Sequence, residues 1–131
     1  MEEEQIIINK FGLCPSQKDY EEIKQLLIEE VNNHDMSGCG EYLRVLCFMI
    51  FYCGHVEDSE LIWNAKNLNM DTDCYIDIGL TCGAGYRETV EYLSCKPDLT
   101  KMKSYIEFCY NSGDEFNREA IINDFKRFYS A

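Results

Sequence analysis

Residues 82–93 read CGAGYRETVEYL: two glycines around an alanine, then a charged run with Tyr86, Val90 and Leu93 on one side. Such a turn either cradles a ligand's phosphate or joins two helices. A phosphate-binding glycine run follows a strand, whereas the preceding residues, TDCYIDIGLTCG, read as a helix with Thr72 as its N-cap. Glycine is also the commonest stop for a helix, because it alone enters the left-handed conformation without steric cost. The glycines are therefore expected to punctuate helices.

An internal repeat supports this. Offset by 29 residues, FYCGHVEDSELIW (51–63) lies over LTCGAGYRETVEY (80–92), with Cys53-Gly54 falling on Cys82-Gly83 and Leu61 on Val90. In both copies an apolar segment ends at Cys-Gly and an amphipathic one begins after a short turn. EFCYNSGDEFNREAIINDF forms a third, degenerate copy with Cys109 and Gly113 at the joint. Periods of this length built from helix pairs are the sequence form of stacked helical hairpins. The phrase GAGYRETVEYL resembles the turn and second helix of ankyrin repeats over about a dozen residues, without the T-P-L-H opening, and HEAT-like pairing fits equally. The expected fold is all-α, about seven helices in stacked antiparallel hairpins. Residues 40–54 and 57–68 form one hairpin and 73–83 and 86–95 the next, in a single domain over 1–131 whose first 15 residues are a partly irregular lead-in.

The remaining segments agree. PSQKDYEEIKQLLIEEVNN places Tyr20, Ile23, Leu27 and Val31 at helical spacing behind Ser16 as N-cap, with Asp19 three residues on. GEYLRVLCFMIFYCG is apolar nearly all round, the mark of a helix covered on most sides, and Gly54 can close it. EDSELIWNAKNLN sets Leu61, Ile62, Ala65 and Leu68 on one face. PDLTKMKSYIEFCYNSG runs to a stop at Gly113, and NREAIINDFKRFY shows Ile121, Ile122, Phe125 and Phe128. QIIIN (5–9) is ambiguous between a strand and a helical turn.

The formal charge is −12, which opposes binding to nucleic acid or an anionic membrane and favours a basic protein partner. Residues 1–30 carry eight acids and three bases, residues 57–91 eight and two, and residues 92–131 six of each. The expected partner surface is therefore the acidic middle third: Glu57, Asp58, Glu60, Asp71, Asp73 and Asp77. Asp77 has a competing reading as an internal acceptor for Trp63, a tyrosine or a backbone amide, since it sits in an otherwise apolar stretch. Tyr92 and Tyr110, off the apolar stripes, are candidate interface anchors.

Eight cysteines are present, several within apolar runs where a thiol behaves as a small hydrophobe. The start MEEEQIII lacks the basic opening and apolar core of a signal peptide. Free thiols and a cytoplasmic location are expected. The longest apolar run, Val45 to Cys53, is nine residues, against about twenty for a membrane span. An EF-hand loop from Asp71 would need glycine sixth and glutamate twelfth, where Ile76 and Cys82 stand. His34, Cys39, Cys53 and His55 lack a standard zinc spacing, so no metal or cofactor is expected, and Cys53 with His55 has no evident orienting third group.

In size, acidity and expected location the chain resembles, in profile only, bacterial immunity proteins, which cover the cationic site of a nuclease toxin. That resemblance implies a non-enzymatic binder that neutralises a basic toxin domain. The alternatives are a small enzyme with a carboxylate or Cys–His site, and a homo-oligomeric scaffold, such as a homodimer sharing its apolar helices.

Overall fold

The computed structural model describes residues 2–33 and 40–129. Among them are eight α-helices and no strand, so the all-α expectation holds. They are α1 (Glu3–Phe11), α2 (Tyr20–Asn32), α3 (Glu41–Cys53), α4 (Ser59–Lys66), α5 (Met70–Tyr75), α6 (Tyr86–Ser94), α7 (Thr100–Asn111) and α8 (Arg118–Tyr129). Short 3-10 turns at Gln17–Asp19, Val56–Asp58 and Pro97–Leu99 lead into α2, α4 and α7, and a longer one spans Ile78–Cys82.

Three boundaries differ from expectation. The ambiguous QIIIN is helical, because Ile7 and Phe11, four apart, are buried on one side of α1. Ser16 opens a 3-10 turn and makes no side-chain cap. The expected helix over 73–83 is two pieces. α5 starts earlier, at the capping box of Asn69, whose Oδ1 accepts from Thr72 N (2.9 Å) while Asn69 N donates to Thr72 Oγ1 (3.1 Å). It stops at Tyr75, and Ile76 and Asp77 are extended.

α3 is central. Leu43, Val45 to Phe51 and Cys53 are all buried, and α1, α2, α4, α5 and the 78–82 turn pack against it. Phe48 stacks on Phe125 of α8 at 4.2 Å between ring centroids. Covering α3 on all these sides removes its apolar surface from water, the dominant favourable term in folding. A second, smaller cluster joins Ile78, Cys82, Leu93, Met102, Ile106, Cys109 and Phe116.

The two clusters meet along 76–82. Ile76 and Leu80 enter the larger one; Ile78 and Cys82 enter the smaller. The joints of the two repeat copies also touch here. A Cβ on Gly54 would stand 3.5 Å from the Gly83 carbonyl oxygen, and one on Gly83 would stand 2.5 Å from that of Phe51. Arg118 ties the two together: its Nη1 donates to Phe51 O (3.1 Å) and Gly83 O (2.9 Å), its Nη2 to Tyr52 O (2.6 Å). One guanidinium thus satisfies carbonyls left open at the end of α3 and in the second joint.

Gly54 closes α3 in the left-handed conformation (φ 79°, ψ 25°) as expected. Gly83 does not follow it; it is right-handed helical, and its need for glycine is the close approach to Phe51. Gly85, at φ 112°, starts α6.

Candidate functional site: an acidic groove at the seam

The break after α5 builds a cavity. Lys66, at the end of α4, is buried, and its Nζ donates to the Asp73 carbonyl (2.5 Å) and the Ile76 carbonyl (2.7 Å), with the Asp73 carboxylate at 3.3 Å. An ammonium at a helix C-terminus meets carbonyls with no partner of their own and the negative end of the helix dipole. With α5 ended in this way, the chain runs extended through Ile76 and Asp77, then turns back at Ile78.

Gly79 sets how closely that turn lies against the chain before α8. A Cβ there would overlap the Glu115 carbonyl oxygen and approach Ile121 Cδ1 at 2.9 Å. Between these elements lies a cavity of about 410 Å³. Ile76, Ile121 and Phe125 form apolar wall; Asp77, Asp114, Glu115 and Asp124 bring four carboxylates. Cys74 and Tyr105 also line it, and Tyr75 and Phe128 line a recess beside it that shares Arg44, Cys74 and Asp77. Tyr75, Tyr105 and Phe128 are among the most exposed large apolar residues described, Phe128 at 63%.

Two cations face the same space; Lys66 has its partners, while Arg44 is held chiefly by aromatic rings and keeps a buried Nε without a hydrogen-bond partner among the described residues. Lys66 is held by the carbonyls just named. The Arg44 guanidinium lies 4.6 Å from the Phe125 ring centroid, 5.6 Å from Phe128 and 5.7 Å from Tyr75, and its Nη1 lies 3.4 Å from the Tyr129 hydroxyl. Both stay on the wall by packing and hydrogen bonding. On the acidic side, Asp124 pairs with Arg127 at 3.0 Å, and Glu115 accepts from Asn117 N at 2.8 Å. Asp77 is exposed, and its carboxylate has no partner among the described residues. The structural reading of Asp77 as an internal acceptor for Trp63 or a tyrosine is therefore corrected: with the helix broken at Ile76, its side chain leaves the core and borders the groove.

The other expected contact residues scatter. Asp58 is corrected most sharply: it is 2% exposed, its carboxylate accepting from the Tyr20 hydroxyl and pairing with Lys24 at 3.0 Å. Burial first, then the Asp58 hydrogen bond, pushes the Tyr20 hydroxyl well above its ordinary range. Asp58 therefore anchors α2 to the joint before α4 and offers nothing to a partner. Glu57 and Glu60 are exposed at the start of α4, Glu57 lying 3.7 Å from His55 Nδ1. Asp71 and Asp73 are exposed on α5, beyond the far end of α4, a helix about 12 Å long at 1.5 Å per residue. Asp73 and Asp77 do not share a helix face.

Asp114, Glu115 and Asp124 were not legible from charge counting, because their third of the chain is neutral overall. The available signal was local: an acidic pair directly after the Gly113 turn.

Of the cysteine–histidine candidates only Cys53 and His55 are described. His34 and Cys39 lie outside the described residues. Cys53 is buried, with burial first and Asp58 next raising its thiol's pKa, and the His55 ring stacks on Tyr20 at 4.0 Å with Nε2 at Gln17 Oε1 (3.0 Å). Among the described residues no three His, Cys, Asp or Glu side chains are grouped to hold a metal, and no helix is long and apolar enough to cross a membrane. Seven described cysteines are free, with Cys47, Cys53, Cys82 and Cys109 buried and Cys74 and Cys95 exposed. The chain matches no known family model, and no curated protein or solved structure matches it significantly.

Proposed function

We propose that this protein is a non-enzymatic binding module whose acidic groove takes up a basic segment of a partner protein. The observation that carries the reading is the cavity at the seam. It combines four carboxylates, one of them unpartnered, with exposed aromatic rims, while the cations on its wall are held by carbonyls and rings. Protein interfaces are enriched in aromatic residues, and the net charge of −12 speeds encounter with a cationic partner. A nuclease-type toxin domain, the partner implied by the likeness to immunity proteins, is one basic protein of this kind.

The test is the affinity of an octalysine peptide across a salt series for the parent, for Asp77→Asn/Asp114→Asn, and for Glu2→Gln/Glu3→Gln. The groove variant should bind about three- to tenfold more weakly at low salt, as two partly screened charges imply, and depend less on salt. Equal binding by the groove variant, with loss in the N-terminal one, would remove the groove from the account.

A further inference from the structure

The cavity does not end at Asp114 and Glu115. Both residues also line a neighbouring recess with Tyr86, Tyr110 and Phe116, and Tyr86 and Tyr110 line a third with Val90, Glu91 and Glu107. The three depressions thus adjoin through shared wall residues, in a trough that runs from the larger hydrophobic cluster at Ile76, Ile121 and Phe125 to the smaller one at Phe116. Volumes of about 350 to 530 Å³ make each a recess of side-chain scale.

At the far end the Tyr86 and Tyr110 rings are stacked 3.7 Å apart and 13° from parallel, with the Phe116 ring at 60–69° to both. Phe116 is buried while Tyr110 remains 47% exposed, so the stack is braced from within and open outward. Glu91 and Glu107 stand on either side, on α6 and α7. One cation, Arg87, shares that recess. Over the whole trough six acids face three bases, of which Lys66 is held by carbonyls and Arg44 lies against aromatic rings. A planar guanidinium suits such a place: it stacks on an aromatic ring and donates in its own plane to flanking carboxylates.

Resting on the reading of the groove as a docking site for a basic segment, we propose that the segment binds extended and sets two cationic side chains. One enters the cavity beside Asp77 and Asp114. The other, an arginine, stacks on Tyr110 between Glu91 and Glu107. Charge complementarity at both ends of a trough with shared walls argues for one continuous chain as occupant. An extended strand, whose alternate residues point the same way and repeat about every 7 Å, can serve both recesses, which an isolated ion cannot.

The experiment uses fluorescein-labelled Gly-Ser peptides carrying two arginines separated by one to six residues, a single-arginine peptide and a two-lysine series, read by anisotropy. Affinity should peak at one spacing, and arginine should exceed lysine there. Tyr110→Ala should weaken the best two-arginine peptide about two- to fivefold, the range expected of an exposed cation–π contact. It should flatten the spacing profile and leave the single-arginine peptide unchanged, while Tyr110→Phe restores the parent profile. A flat profile in the parent, or indifference to Tyr110→Ala while Asp77→Asn/Asp114→Asn still weakens binding, would overturn the two-site inference and leave the docking groove standing. Indifference to both variants would overturn the groove as well. Spermidine competing as well as the best peptide would show a polyamine site instead.

Discussion

The two copies of the 29-residue repeat share a pattern and differ in structure. In the first, the residues before Cys53-Gly54 form a 13-residue helix surrounded by core, and Gly54 ends it in the left-handed conformation. In the second, the residues before Cys82-Gly83 form a five-residue 3-10 turn between two hydrophobic clusters, with Gly83 right-handed. The first copy is covered on all sides; the second has a cavity at its edge. The repeat therefore marks where the joints lie, with a buried cysteine and a glycine whose backbone meets the other copy. Whether the segment before each joint stays helical depends on its neighbours.

Arg118 binds carbonyls from both copies, so its loss should have the largest effect. Arg118→Met keeps much of the apolar packing on Phe51 and Tyr52 but leaves three carbonyls without their donor. We expect a loss of about 2–4 kcal/mol from charged hydrogen bonds and stranded acceptors, read as a fall of roughly 4 °C in Tm per kcal/mol.

The two joint glycines should then differ. Gly83→Ala drives a methyl into the Phe51 backbone and should cost about 2–3 kcal/mol, as overpacking does. Gly54→Ala meets no atom closer than 3.5 Å and should cost only the left-handed penalty, about 1–2 kcal/mol. Equal losses by chemical denaturation would mean that the joints are alike after all.

High pH probes the anchors on α2 and α8. The Tyr20 hydroxyl donates to Asp58 and that of Tyr129 to Glu41, and burial first, then these bonds, raises both pKa values above the ordinary 10. A raised folded-state pKa contributes stability that is complete below the unfolded value and lost as pH climbs through the folded one. Stability should therefore fall above about pH 10, and Tyr20→Phe should make that fall shallower. An unchanged slope in Tyr20→Phe would show that its hydroxyl is not held as described.

Thiol labelling has the smallest effect on the fold and the finest resolution. Cys74 and Cys95, exposed, should react with a mild alkylating agent first, and Cys47, buried with its thiol pushed up by desolvation, last. Cys53 and Cys82, the matching joint cysteines, should both be slow. Rapid labelling of Cys82 alone would show that the second joint opens while the first stays shut.

The helices were legible where the apolar pattern follows one helical period, as in α2 and α7, or fills every side, as in α3. They were less so where two clusters compete for one segment. YIDIGL alternates, with Ile76 and Ile78 buried and Asp77 exposed, a period of two that argues for extended chain; two β-branched residues and a glycine further weaken a helix there. Phe128, in phase with Ile121 and Phe125 by spacing, is exposed, and Tyr129 beside it packs against the core in the last turn of α8 instead. The overall acidity was plain, but Asp58 is consumed by Tyr20 and Lys24, contacts 38 and 34 positions away that no local pattern encodes. Asp114, Glu115 and Asp124 join Asp77 only through the fold.

Docking of a basic segment in the seam groove can be followed through the backbone amide resonances while a basic peptide is titrated in. Shifts should concentrate at residues 74–79, 105, 114–117 and 124, with Glu2 to Glu4 and Glu57 to Glu60 unmoved. Shifts confined to those latter acids, or spread evenly over the acidic surface, would contradict it.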